Sequence, residues 1–74
     1  FAGPTVIFPN PAYNMLSIVT QESRFHAQII NTGGKAVASY INQKNITIQS
    51  LPAGVYYLRL IFPGRIENFK FLKR

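Results

Sequence analysis

Hydrophobic and polar residues alternate along most of this chain, in short runs that Gly, Pro and Asn interrupt. The clearest run spans residues 55–62, where Tyr56, Leu58 and Leu60 fall on one face of an extended strand. The same period of two predicts seven strands, at residues 5–8, 14–20, 24–31, 35–40, 45–49, 55–62 and 65–73. In four of the other strands one face holds apolar residues: Leu16 and Ile18; Phe25, Ala27 and Ile29; Ile46 and Ile48; and Phe69 and Phe71.

Seven short strands at a spacing of about ten residues are typical of an antiparallel sandwich. Frequent β-branched residues and Gly or Pro breaks leave no segment suited to a long helix. We therefore predict an all-β fold, a seven-stranded antiparallel immunoglobulin-like sandwich, with a partly open barrel as the alternative. Residues 1–4 are interpreted as the end of a linker and residues 5–74 as one domain. The chain does not begin with Met, so we interpret Phe1 as the start of a fragment of a longer protein.

The net charge of the chain says more about its binding partners than the rest of its composition does. Eight Lys and Arg residues face two acidic residues, Glu22 and Glu67, which gives a net charge of +6. Such an imbalance favours an anionic partner: an acidic protein surface, a lipid or lipopolysaccharide head group, or nucleic acid. Cys is absent, so neither a disulfide nor a thiolate metal site is expected.

Candidate chemistry is sparse. His26 is the only histidine, Asp is absent, and we interpret the two glutamates as solvated charges. These residues match no catalytic arrangement and no metal-ligand spacing, so the sequence predicts no enzyme, no metal and no cofactor. Alternation of ring and charge at Phe69, Lys70 and Phe71 could form a stacking surface for nucleic acid. On a strand the simpler interpretation is that both rings face the core, and no nucleic-acid partner is predicted.

Four phrases follow one another along the chain. The first is Phe8, Pro9, Asn10 and Pro11, which precedes Leu16 and Ile18; the second is Asn31 to Val37, with Gly33, Gly34 and Lys35 at its centre; the third is Leu51, Pro52, Ala53, Gly54, Val55 and Tyr56; the fourth is Phe69 to Arg74. In this order they resemble the C-terminal sorting domain of the type IX secretion system of Gram-negative bacteria. The second phrase departs from the family pattern, because Asn31 and Lys35 stand where Asp and Arg are usual.

The resemblance implies a seven-stranded immunoglobulin-type sandwich that acts as the export signal of a larger cargo protein. It also implies three partners: an outer-membrane translocon, its shuttle protein, and a surface sortase that acts near the N-terminal linker. The protein would pass through the periplasm and reach the outer membrane, the cell surface or the medium. Retention and cleavage of the domain both stay open.

Within this framework the tail is our predicted recognition element for the translocon. It comprises Lys70, Phe71, Leu72, Lys73 and Arg74, and we expect Lys73 and Arg74 to be solvated. The other phrases are expected mainly to set the fold. We also expect that the last strand lies at a sheet edge, where a homodimer could form. The alternative function is a non-catalytic adhesive β-sandwich that binds a protein or glycan, which a shared surface of exposed Tyr40 and Tyr57 would favour.

Overall fold

A computed structural model describes residues 4–74 and contains seven strands. Their bounds are β1 Val6–Phe8, β2 Met15–Val19, β3 His26–Asn31, β4 Ala36–Ile41, β5 Asn45–Thr47, β6 Gly54–Phe62 and β7 Arg65–Lys73. The seven predicted strands are therefore confirmed, with ends that differ by up to two residues. Residues 1–3 of the predicted linker lie outside the described residues.

The strands form two antiparallel sheets that pack as a sandwich, which confirms the predicted fold class. One sheet has the order β1-β2-β5 and the other β4-β3-β6-β7. β7 lies at an edge of the four-stranded sheet, as predicted, and pairs with β6 along its whole length, from Gly54 opposite Lys73 to Phe62 opposite Arg65. Among the described residues the structure contains no helical segment with the length and hydrophobicity that a membrane crossing requires.

The core lies between the sheets and consists of the apolar faces predicted by the alternation together with Ala12, which no predicted strand included. Its buried members are Ala12, Leu16, Ile18, Phe25, Ala27, Ile29, Ile46, Ile48, Tyr56, Leu58, Leu60, Phe62 and Phe71. Phe69 is half-buried and packs against this core. Both rings of the last strand thus face inward, and they are not available as stacking surfaces for bases. Each large side chain buried here stabilises the fold by about 1.5–3 kcal/mol relative to full exposure.

The two glutamates, whose side chains are 35% and 31% exposed, both bind one arginine, which adds an ion-pair partner to the predicted solvated charges. Arg65 donates from Nε to Glu67 at 2.8 Å and from Nη1 to Glu22 at 3.0 Å. Its guanidinium also lies 4.4 Å from the centroid of the Phe62 ring. The hydrogen bonds to Glu67 and Glu22 raise the pKa of the Arg65 guanidinium above its ordinary value. This cluster joins the loop after β2 to the β6–β7 turn.

Candidate recognition site

The four phrases, far apart in sequence, meet at one end of the sandwich. This end holds the start of β6 and the ends of β3 and β7, because Asn31 lies opposite Tyr56 and Lys73 lies opposite Gly54. We call it the tail end and define it by residues 10–12, 31–35, 51–56 and 70–74. Each phrase makes a contact there that explains its residue types.

The first phrase ends β1 and carries the chain across to the other sheet. Val6 to Phe8 pair with β2, whereas Ala12 forms an isolated parallel bridge with Lys73. The Ala12 N–H donates to the Leu72 carbonyl and the Arg74 N–H donates to the Ala12 carbonyl, both at 2.8 Å. The phrase therefore covers the outer edge of the last strand.

Asn10 completes this cover with its side chain. Its Oδ1 accepts the Leu72 N–H at 3.0 Å, and its Nδ2 donates to the Lys70 carbonyl at 3.3 Å. The amide group thus supplies one acceptor and one donor, as a residue of a neighbouring strand would. This pairing gives the Asn of the phrase a physical role that its sequence position does not reveal.

The second phrase forms the β3–β4 turn. The Asn31 side-chain oxygen accepts the N–H groups of Gly33 and Lys35, each at 3.0 Å. Gly34 has a φ of 84°, in the left-handed region that glycine adopts without steric cost. The Asn that stands where Asp is usual therefore still satisfies the turn, since a neutral amide oxygen accepts both bonds.

The third phrase forms the corner before β6. The Tyr56 hydroxyl donates to the Pro52 carbonyl at 2.7 Å and so closes the corner on itself. The Tyr56 ring stacks on Phe71 with centroids 5.8 Å apart and an interplanar angle of 24°. The third and fourth phrases are consequently packed together inside the sandwich.

The tail does not project as a solvated basic segment. Phe71 is 1% exposed, and Lys73 is only 8% exposed because it follows Phe69 and Phe71 on the inner face of β7. The Lys73 Nζ donates to the Arg74 carbonyl oxygen at 2.9 Å. The expectation that Lys73 is solvated is therefore wrong: strand alternation outweighs its charge, and a short hydrogen bond satisfies it.

Three tail residues remain accessible at the tail end. Lys70 and Arg74 are exposed, and Leu72 is half-buried. A shallow hollow of about 190 Å³ lies beside Lys70 and Leu72, and Asn10, Val55 and Phe71 complete its lining. A second hollow, of about 410 Å³, has Arg24, His26 and Ile61 in its wall, and none of the predicted site residues lines it. The predicted recognition residues thus divide into a buried pair and an accessible trio.

The charged side chains at the tail end are all basic. Both glutamates are bound to Arg65, and among the described residues the seven other basic side chains have no glutamate within ion-pair distance. The tail end therefore presents cations and no carboxylate side chain, which suits an acidic partner surface. Among residues 4–74 no group of three or more His, Cys, Asp or Glu side chains could hold a metal ion.

The tyrosines named for the adhesive alternative do not share a surface. Tyr40 packs against the core, and its hydroxyl donates to the Thr47 carbonyl at 2.9 Å. Tyr57 alternates to the solvent face of β6 and is exposed. The observation that would favour adhesion is therefore not found.

The described residues define a class of protein: a small immunoglobulin-like sandwich whose basic last strand is covered on its outer edge by residues 10–12. Comparison with known protein families then identifies the family. The family model of the secretion system C-terminal sorting domain matches residues 6–72, and the chain belongs to this family. The resemblance seen in the four phrases is thus confirmed. No curated protein matches the chain.

Family membership makes the domain a C-terminal sorting signal of type IX secretion. Such a signal interacts with the secretion machinery and leads to export through the outer membrane, to the cell surface or into the medium. The family is not an enzyme family.

Proposed function

We propose that this domain directs a larger cargo protein out of the periplasm by presenting its tail end to the outer-membrane translocon and the shuttle protein. A surface sortase then acts near the N-terminal linker and attaches the cargo to the cell surface. The accessible trio makes the contact, whereas Phe71 and Lys73 hold the tail in its folded shape. The observation that carries this proposal is the packing of the first and third phrases against the last strand, with the second phrase at the same end of the sheet.

The backbone geometry of the tail supports recognition of its side chains and not of its backbone groups. β6 pairs with one edge of the tail, and residues Asn10 to Ala12 cover the other edge. A receptor that meets the folded domain therefore finds few free backbone groups between residues 70 and 74. It finds the Lys70 and Arg74 cations beside the half-buried Leu72.

Charge supports an acidic receptor. Complementary charges on two surfaces steer their association and fix its orientation. The domain has a net charge of +6, and neither of its glutamates lies at the tail end. An acidic patch on the receptor would find no competing carboxylate side chain there.

The experiment is an export assay with matched charge changes. Residues 1–74 are fused to the C-terminus of a fluorescent protein that enters the periplasm by its own signal, in a bacterium that has the type IX system. Surface exposure is scored with and without the translocon. The test variant is Lys70→Glu with Arg74→Glu, and the control is Arg24→Glu with Lys44→Glu, which changes the net charge equally on exposed residues outside the tail end.

The proposal expects exposure that depends on the translocon, loss of exposure in the test variant, and near-normal exposure in the control. Thermal unfolding of the isolated domain checks that both variants fold. Equal export by the two folded variants would show that the tail cations are not read. A parent reporter that stays in the periplasm would show that this chain is not a sufficient signal.

A further inference from the structure

The outer edge of β7 is covered over only half of its length. Leu72 has its N–H and its carbonyl directed away from β6, toward Asn10 and Ala12. The N–H and carbonyl groups of successive residues in a strand point to opposite sides, so those of Ile66, Asn68 and Lys70 also face away from β6. The Asn10 side chain donates to the Lys70 carbonyl. The outward-facing groups that remain are the Lys70 N–H and the N–H and carbonyl groups of Ile66 and Asn68. No hydrogen-bond partner exists for them among residues 4–74.

The side chains beside this open half have a definite pattern. Ile66, Asn68 and Lys70 alternate onto the solvent face, and Ile66 is 58% exposed. On β6, Ile61 lies opposite Ile66 and Arg59 lies opposite Asn68. The open edge is therefore apolar near the β6–β7 turn and cationic near the tail. Glu67 alternates to the other side of the strand and is held by Arg65.

From this geometry we infer that the open half of β7, residues 66–70, is a docking site for an extended acidic segment of another protein, which adds to the sheet as a strand. The segment places an apolar side chain beside Ile66 and, four residues along, a carboxylate beside Lys70. Its backbone pairs with the free groups of Ile66, Asn68 and Lys70. This surface is distinct from the accessible trio except for Lys70, and the inference does not require that the translocon be the partner.

Charge selects an acidic partner over a second copy of this chain. Two copies paired through β7 would bring together two domains that each have a net charge of +6. A lysine beside an exposed edge is also a common device against pairing of like chains. A segment that carries carboxylates avoids this repulsion. Its carboxylate forms an ion pair with Lys70, and Arg59 also lies within reach.

The test uses the 74-residue chain labelled with ¹⁵N and a capped seven-residue peptide in which valine, threonine and glutamate alternate in the required register. Titration is followed through the amide signals. Saturable shifts should concentrate at Ile66, Asn68 and Lys70. A peptide with lysine in place of glutamate should bind at least about tenfold more weakly.

Two matched pairs of variants separate backbone pairing from charge. Asn68→Pro removes an N–H that faces away from β6, a position where an edge strand accepts proline, and should abolish binding. Asn68→Thr keeps this N–H and should bind like the parent. Lys70→Glu should weaken binding at least about tenfold, whereas Lys35→Glu changes the net charge equally and should have little effect.

A peptide N-methylated at the amides that face β7 tests the same bonds without changing the protein, and it should not bind. The inference is overturned by undiminished binding of this peptide, by shifts that map to another face, or by the absence of shifts at millimolar peptide. It is also overturned if the shifts at residues 66–70 follow the concentration of the domain alone, since this would identify self-pairing. None of these outcomes depends on export, so the proposed sorting role stands or falls separately.

Discussion

Replacing Asn10 by Ala should loosen the last strand without displacing the rest of the first phrase. The change removes the 3.0 Å bond from the Leu72 N–H and the 3.3 Å bond to the Lys70 carbonyl. The two 2.8 Å bonds of the Ala12 backbone remain. The segment should therefore stay docked while the tail loses part of its cover.

The magnitude follows from the two bonds. A net contribution of about 0.5–1.5 kcal/mol for each bond, reduced because Asn10 is exposed and one bond is long, gives a loss of about 1–2 kcal/mol. In a domain of this size such a loss lowers Tm by roughly 5–15 °C. Asn14→Ala is the control, because Asn14 is exposed and its side chain has no hydrogen-bond partner among residues 4–74.

The assay combines thermal unfolding with amide hydrogen exchange. In the Asn10→Ala variant the Leu72 amide should exchange faster by a larger factor than the core amide of Leu58, which reports global unfolding. The Asn14→Ala variant should resemble the parent in both measurements. Unchanged protection at Leu72, or a Tm equal to that of the control, would refute the role assigned to Asn10.

Three further predictions follow from the contacts. Tyr56→Phe removes the 2.7 Å bond to Pro52 and should cost about 1 kcal/mol in chemical denaturation, whereas Tyr57→Phe, on the exposed face, should cost almost nothing. Lys73→Glu places a carboxylate at an 8% exposed position and should lower Tm far more than Lys70→Glu does; equal effects would contradict the burial of Lys73. Arg65→Gln should separate the loop after β2 from the β6–β7 turn, seen as faster proteolysis of that loop, and high salt should narrow the difference from the parent.

The strands and their faces could be predicted because they depend on local alternation. Leu16 with Ile18, and Tyr56 with Leu58, are buried as the period of two requires. The strand ends shifted where hydrogen bonds decide them. β5, for example, ends at Thr47 because Ile48, although still buried, enters a turn in which its carbonyl accepts the Leu51 N–H.

The contacts at the tail end could not be predicted, because they join residues that are distant in sequence. Asn10 lies 62 positions before Leu72, and Glu22 lies 43 positions before Arg65. No local pattern reports such partners. Lys73 is different: its place in the series Phe69, Phe71, Lys73 signalled an inward position, and the expectation of solvation gave its charge more weight than its register.

The clamp between the first phrase and the last strand also has a consequence for the timing of folding. β7 is the last of the seven strands to be synthesised, yet it pairs with all of β6 and with residues near the start of the domain. Contacts at such large sequence separation form slowly, and here they cannot form until translation has passed β7. A ribosome that stalls earlier releases a chain in which β6 lacks a neighbour and Asn10 has nothing to bind. Assembly of this end of the sandwich therefore follows the synthesis of β7, and a chain interrupted before β7 cannot form it.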